Sequence, residues 1–315
     1  MQELLTQFVT VADEVGRLQR GGDAECDLFN GFCEEGHYGG RAKPTNTRQG
    51  IYAIAPSGKF LASINTTDAD RMAAMLQQAM QRWRELPAAE RQLDAEQVRR
   101  LGESKRFEDR YPQDGLVLAE YMRDLDVVGD DNDWLTRAAN EDQAWFRKEE
   151  AASMVPASHD VGAHVELPSR LVDRLVLLHL VDSVRGQAPS FPKEALVEAS
   201  LRSEVTAVAE GRVHLRLSGK SKTAQKGKWR VEDRGDEVEH GRGIDVQFEG
   251  RAVWHVATQR FEAFALLATG MRHGATQYNQ RGNDAAPKAI GFAFVLATAT
   301  HPRVAPAFWW EYGWR

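Results

Sequence analysis

Beyond Gln187 the apolar residues fall at every second position in short runs. Val213-His214-Leu215-Arg216-Leu217 alternates in full, and Val205 to Val208, Val246 to Phe248, Ala252 to Val256, Phe261 to Ala268 and Ile290 to Leu296 are further β-prone segments separated by turns. Successive side chains of a strand point to opposite faces, and consecutive strands joined by turns pair antiparallel. This half of the chain is thereby confined to an antiparallel sheet, a sandwich or a partly closed barrel. The 315 residues are about twice the usual domain length, so two units are expected. With 42% hydrophobic and 27% charged residues, the composition is globular and excludes a disordered or collagen-like chain.

Charge and hydropathy narrow the partners. A net charge of -6, from 40 basic and 46 acidic residues, gives no reason to expect nucleic acid or an anionic membrane surface. No apolar run approaches the roughly 18 to 20 residues of a membrane-spanning helix, and Met1 to Arg20 mix Glu3, Asp13 and Glu14 with apolar residues where a signal segment would be basic and then greasy. We expect a soluble protein; the compartment stays open, because two cysteines are too few for a disulfide framework.

In the N-terminal part, Phe8 to Val11 reads as a buried strand. Asp23 is placed to cap a helix that carries Cys26, Phe29 and Cys33 on adjoining faces and ends at Gly36, Gly39 and Gly40. Ile51 to Ala55 and Phe60 to Ile64 flank Pro56-Ser57-Gly58-Lys59, a hairpin signal. Thr67 and Asp70 resemble a capping box before Met72, Met75, Leu76, Ala79, Met80 and Trp83, which recur at helical spacing up to Pro87. A helix packed on the hairpin is the preferred reading of this stripe, over an adaptable partner groove.

The order strand, helix, strand, strand, helix over Phe8 to Trp83, and above all Gln49-Gly50-Ile51-Tyr52-Ala53-Ile54, Pro56-Ser57-Gly58-Lys59 and Phe60-Leu61-Ala62-Ser63-Ile64 followed by the helix, resembles the C-terminal half of the thioredoxin-like superfamily. The resemblance covers about the first quarter of the chain. It implies a truncated fold without dithiol exchange, since the Cys-x-x-Cys motif of that superfamily is missing and Arg48, Gln49 and Gly50 stand where its proline would precede the hairpin. Such a half-fold leaves a sheet edge that invites cover by the rest of the chain or by a second copy.

Residues 88–110 carry dense charges of both signs and read as a charged helical connector. Leu116 to Leu125 is a candidate strand. Gly129-Asp130-Asp131-Asn132-Asp133 lacks the order of a calcium loop and reads as a polar turn before a helix with Trp134. Trp145 to Met154 reads as helical, and Ser169 is placed to cap a helix through Leu171, Val172, Leu175, Leu178 and Val181. The expected fold class is therefore α+β: a thioredoxin-like βαββα module over 1–87, the connector over 88–110, and a larger antiparallel β-rich domain over 111–315 with helices near 134–154 and 169–182.

Four groups of residues carry candidate chemistry. Cys26, Cys33 and His37 combine thiolate and imidazole donors suited to zinc or another transition metal, or a redox pair, against the plainer reading of two core thiols. His159 and His164 lie before the helix that carries His179 and Asp182, residues whose spacing places them on one helix face toward a histidine–carboxylate metal site. Nine histidines make such coincidences common. The basic residues between Val213 and Arg230 read as a solvated hairpin. His273, Thr276, Gln277, Tyr278, Asn279, Arg281 and Asn283 offer donors, acceptors, a cation and a ring between two apolar strands, the best small-ligand surface in the sequence.

The tail Phe308-Trp309-Trp310-Glu311-Tyr312-Gly313-Trp314 holds three of the eight tryptophans and should dock, on this chain or on a second copy. No serine nucleophile elbow, phosphate-binding glycine loop or HExxH is present. The functional expectation is a non-redox binding or interaction protein with a small-molecule or protein partner, and homodimerisation through the N-terminal sheet edge or the tail. The alternative is a metal-dependent enzyme or thiol oxidoreductase built on the His159, His164, His179 and Asp182 group or on Cys26, Cys33 and His37.

Overall fold

The computed structural model describes residues 2–38, 47–126, 129, 133–231 and 235–314. Expectations placed on Gly39, Gly40 and Asp130 to Asn132 lie outside them. The chain divides into two compact units, Met1–Arg106 and Phe107–Arg315.

The first unit holds α1 (Gln2–Leu5), α2 (Val15–Arg20), α3 (Ala24–Glu35), β1 (Ile51–Ile54), β2 (Phe60–Ile64), α4 (Ala69–Glu85) and α5 (Ala95–Gly102). The Asp23 carboxylate caps α3 through the Cys26 N–H, and the Gly36 N–H closes it on the Cys33 carbonyl. β1 and β2 form an antiparallel hairpin whose turn holds Gly58 at φ 81°, a conformation that favours glycine. α4 lays Met75, Leu76 and Ala79 on that hairpin beside Ala53, Leu61 and Ala62, so its methionines are core. Its cap is Asp68, which accepts from the Arg71 N–H, and not Thr67. The expected first strand does not form: Phe8 to Val11 follow α1 as irregular chain, with Val9 93% and Val11 82% exposed. The hydrophobic run is too short and too unpartnered to be held as a strand. The charged stretch after Pro87 belongs to this unit as far as Arg106, and Phe107 to Arg110 belong to the second. Ser57 and Lys59 hold Glu90, and Glu25 holds Ser104 and Arg106.

In the second unit β3 (Leu116–Asp124), β4 (Ala139–Phe146), β5 (His164–Glu166), β6 (Leu196–Ala209), β7 (Arg212–Thr223), β8 (Gln225–Arg230), β9 (Glu237–His255), β10 (Arg260–His273) and β11 (Lys288–Leu296) build one antiparallel sheet of nine strands. The order is β4-β3-β11-β10-β9-β7-β6-β5, with β8 also on β9. The sheet is neither a sandwich nor closed into a barrel, since β4 and β5 remain its two ends. Val246 to Phe248 and Ala252 to Val256, expected as two strands, lie in the single long β9, apart from Val256 just beyond its end. Between the short α6 (Trp134–Arg137) and α7 (Lys148–Ala152), β4 occupies ground expected to be helical. Trp145 and Phe146 are strand, paired with Val117 and Leu116 of β3 and buried on both faces of the sheet.

One face of the sheet is apolar. Leu118, Leu215, Leu217, Val246, Phe248, Leu266, Phe292 and Phe294 pack there against α8 (Ser169–Arg174) and the turns after it, through Leu171, Val172, Leu175 and Val176. Strand glycines let the sheet bend around this filling. A Cβ at Gly270 would sit 2.0 Å from the Asp245 carbonyl oxygen, and one at Gly219 2.1 Å from that of Ser200. Among the described residues, no helix is long and apolar enough to cross a membrane.

Candidate functional site

Pro168, and not Ser169, precedes the first turn of α8, and after Arg174 the helix widens into a π turn over Leu175–His179. The Leu180 N–H reaches back to the Leu175 carbonyl at 3.2 Å. Such an insertion re-aims the side chains beyond it, and here it delivers His179, 2% exposed, to the apolar face of the sheet. Asp182 lies past this turn, so the two residues do not share a helix face.

His179 meets two carboxylates. Its Nδ1 is 2.7 Å from Glu120 Oε2 and 3.5 Å from Asp142 Oδ2, and its Nε2 is 2.6 Å from the Tyr312 hydroxyl. Glu120 on β3 and Asp142 on β4 are direct cross-strand partners, an arrangement that is unfavourable for two like charges unless something positive stands between them. Burial pushes the Glu120 carboxyl up to about 7 against the pull of His179. Burial disfavours the imidazolium, but the Tyr312 oxygen and Glu120 outweigh it and raise the affinity of His179 for its proton. Glu120 Oε1 is buried and has no hydrogen-bond partner. Among the described residues, Glu120, Asp142 and His179 are the one group of three possible metal ligands whose donor atoms lie within 4.8 Å of one another.

The aromatic tail closes over this group. Trp309 and Tyr312 are buried with Val117, Trp145 and Leu178, while Trp310 stays 58% exposed. The Tyr312 oxygen accepts the Trp145 backbone N–H at 3.2 Å. Arg174 bonds Glu150 through both terminal nitrogens and lies over the Tyr312 ring at 4.7 Å. At the outer rim a cleft of about 240 Å³ is lined by Arg110, Pro112, Asp114, Arg147, Lys148, Glu149 and Trp314. The Arg147 guanidinium covers the Trp314 ring at 4.7 Å. Arg110, Arg147 and Lys148 make no ion pair among the described residues.

The structure does not bring His159 and His164 to His179 as ligands of one group. His164 is exposed on β5, and Asp182 is occupied by Arg281. Cys26 and Cys33 are free buried thiols with different surroundings. Cys26 lies against Arg17, and Cys33 packs in the cluster of Leu18 and Phe29. His37 instead stacks on Tyr52 at 5.1 Å and bonds Ser63 through Nδ1.

The loop expected to hold a ligand is split between core and solvent. His273, Tyr278 and Asn283 are exposed, and Gln277 is half-buried and bonded to the Tyr278 hydroxyl. Thr276, Asn279 and Arg281 are buried, with the Asn279 side-chain Oδ1 accepting the Thr276 N–H. Arg281 is fully enclosed, bonded bidentately to Asp124 and Asp182, and joined by Arg185 and Arg272 around Asp284. It is a structural cation, unavailable to a ligand in this state. The basic run after Val213 is spread along β7 and β8 and answered by acids: Arg216 by Glu204, Lys220 by Glu198 and Lys222 by Asp245.

Glu120, Asp142 and Tyr312 were missed as a group. A signal for Glu120 was present, since it falls in phase with Leu116, Leu118 and Met122, an acid on the apolar side of a strand. Asp142 had none, because its strand was read in part as helix. Comparison with protein-family models, with curated proteins and with solved structures finds no match to the chain.

Proposed function

We propose that Phe107–Arg315 is a binding module for a small organic anion, a carboxylate or phosphate ester, held at the cleft of Arg110, Arg147, Lys148 and Trp314. The observation that carries this reading is the excess of cations beside an aromatic ring: three basic side chains without ion-pair partners among the described residues face two acids, Asp114 and Glu149. Guanidinium groups recognise carboxylate and phosphate through paired N–H donors, and a ring beneath them adds contact with a planar ligand body. The exposed members of the earlier loop, His273, Tyr278 and Asn283, lack such a concentration of charge.

The test is a tryptophan-fluorescence and calorimetric titration of the whole chain with inorganic phosphate, citrate and AMP. At least one should saturate, and Arg147→Ala and Lys148→Ala should each weaken it about tenfold or more, as loss of a charge-assisted contact does. Failure of all three to bind, or equal binding by Arg147→Ala, sinks the reading. For the N-terminal unit we keep the thioredoxin-like likeness for the hairpin and α4 alone, as a fold reading without redox chemistry; the separate surroundings of Cys26 and Cys33 support that restriction. Sedimentation of the same samples tests self-association. The alternative of a metal-dependent enzyme draws support from the metal-ligand geometry of the buried group alone.

A further inference from the structure

We propose that Glu120, Asp142 and His179 form a binding site for one first-row divalent metal ion, zinc by preference. The donor set, two carboxylate oxygens and an imidazole nitrogen, suits such ions. Both carboxylates stand directly opposite each other in register on the inner face of the sheet, and His179 Nδ1 points between them, 2.7 Å from one and 3.5 Å from the other. In tetrahedral zinc sites with bonds of roughly 2.0 Å, donor atoms stand about 3.3 Å apart. Asp142 already meets that spacing, and Glu120 would need to draw back by only some tenths of an ångström.

The cluster gathers two carboxylates and one imidazole among largely apolar side chains, a donor set that a cation can join. A divalent ion with neutral His179 balances both carboxylates. It also uses the atom that hydrogen bonding leaves idle: Glu120 Oε1, fully buried and partnerless, would supply a fourth donor by turning the carboxylate bidentate. The supporting contacts are in place. His179 Nε2 is held by the Tyr312 hydroxyl, that oxygen by the Trp145 N–H, and Asp142 Oδ1 by the Ala307 N–H at 3.0 Å. A partner on the second ring nitrogen is what orients a metal-bound histidine. Loading replaces the Nδ1 proton, so M²⁺ enters and one H⁺ leaves for each site that starts with His179 protonated.

The experiment strips the whole chain with a chelator and titrates it with Zn²⁺ and Co²⁺ by calorimetry in buffers of different ionisation enthalpy, with far-UV circular dichroism to verify folding. One equivalent should bind with proton release, and Co²⁺ should give the intense ligand-field bands of a four-coordinate site. Asp142→Asn, which keeps the acceptor for Ala307, should weaken binding roughly tenfold or more, as loss of a ligand or its support does. His159→Ala and His164→Ala should not change it. Should Asp142→Asn unfold, Glu120→Gln takes its place. No stoichiometric binding by the folded wild type, or binding unchanged in the carboxamide variant, overturns the assignment. Loss in a His159 or His164 variant does so equally, because it moves the ion elsewhere.

Discussion

Replacing Arg281 by methionine removes one side chain, weakens the hold on Asp124 and strands the buried carboxylate of Asp182. Arg281 is 0% exposed and donates four hydrogen bonds of 2.8 to 2.9 Å to Asp124 and Asp182. Without it Asp124 keeps Arg185 at 2.9 Å, but Asp182 keeps only the Arg272 Nε at 3.8 Å, beyond hydrogen-bond reach. Breaking a buried pair from one side costs about 3–5 kcal/mol, against about 0–1 kcal/mol for an exposed pair. A unit of this size loses about 2–4 °C of Tm per kcal/mol, so a fall of about 6–20 °C is expected. Urea and thermal unfolding followed by tryptophan fluorescence would measure it, with Arg212→Met at the exposed Glu262 pair as the control. Adding Asp182→Leu to Arg281→Met should recover much of the loss, because the stranded charge goes with it. A single variant within about 1 kcal/mol of wild type, or a double variant no better than the single, would refute the structural role given to Arg281.

Gly270→Ala should destabilise the second unit by about 1–3 kcal/mol or more in urea, since the added methyl meets a backbone oxygen that cannot yield; a neutral effect would show that the sheet flattens there at no cost. The Asp284 carboxyl is held down to about 2: burial alone would raise it, but Lys288 and Arg272 outweigh that. Its contribution to stability is therefore complete above the ordinary carboxyl range near 3.8 and lost as pH falls through about 2. Asp284→Asn should accordingly flatten the acid limb of a stability–pH curve, and a limb unchanged in that variant would count against it. Burial raises the thiols of Cys26 and Cys33 above the usual range, so a thiol reagent at neutral pH should label them only on unfolding; rapid labelling of the native chain would contradict their placement.

Period-two alternation made much of β7, β10 and β11 legible in the sequence, because one face of each is largely buried, whereas of β6 only Val205 to Val208 was read. β4 was not legible. Its residues Asn140 to Gln143 are polar, and Trp145 is buried on the far side by the aromatic tail, a long-range contact that no local pattern records. Phe8 to Val11 erred the other way, as local β propensity had no neighbouring strand to satisfy its backbone groups. At the site, His179 was singled out from the sequence but given the wrong companions. Spacing along an ideal helix pointed to Asp182, and the π turn instead aimed the imidazole at strands 59 and 37 residues earlier in the chain. Arg281 was read as a ligand contact because loop polarity suggests exposure. Its four bonds to Asp124 and Asp182 depend on where distant segments meet.

Two clusters of buried charge thus share the inner face of one sheet, and they differ in balance. Asp124 and Glu120 lie on the same strand, four residues apart. Around Asp124 three arginines meet three aspartates, so that cluster accounts for itself as structure. Around Glu120 two carboxylates meet one imidazole, and either a bound cation or a proton held on Glu120 reconciles them. Glu120→Gln separates these cases. In the metal-stripped chain it relieves the cross-strand repulsion, worth about 0.2–1 kcal/mol, and should leave stability equal or higher. In the zinc-saturated chain it removes a ligand and should lower Tm relative to wild type. If the stripped variant instead loses several kcal/mol, the Glu120–His179 pair is itself the structural element, and the fold holds the two carboxylates without an ion.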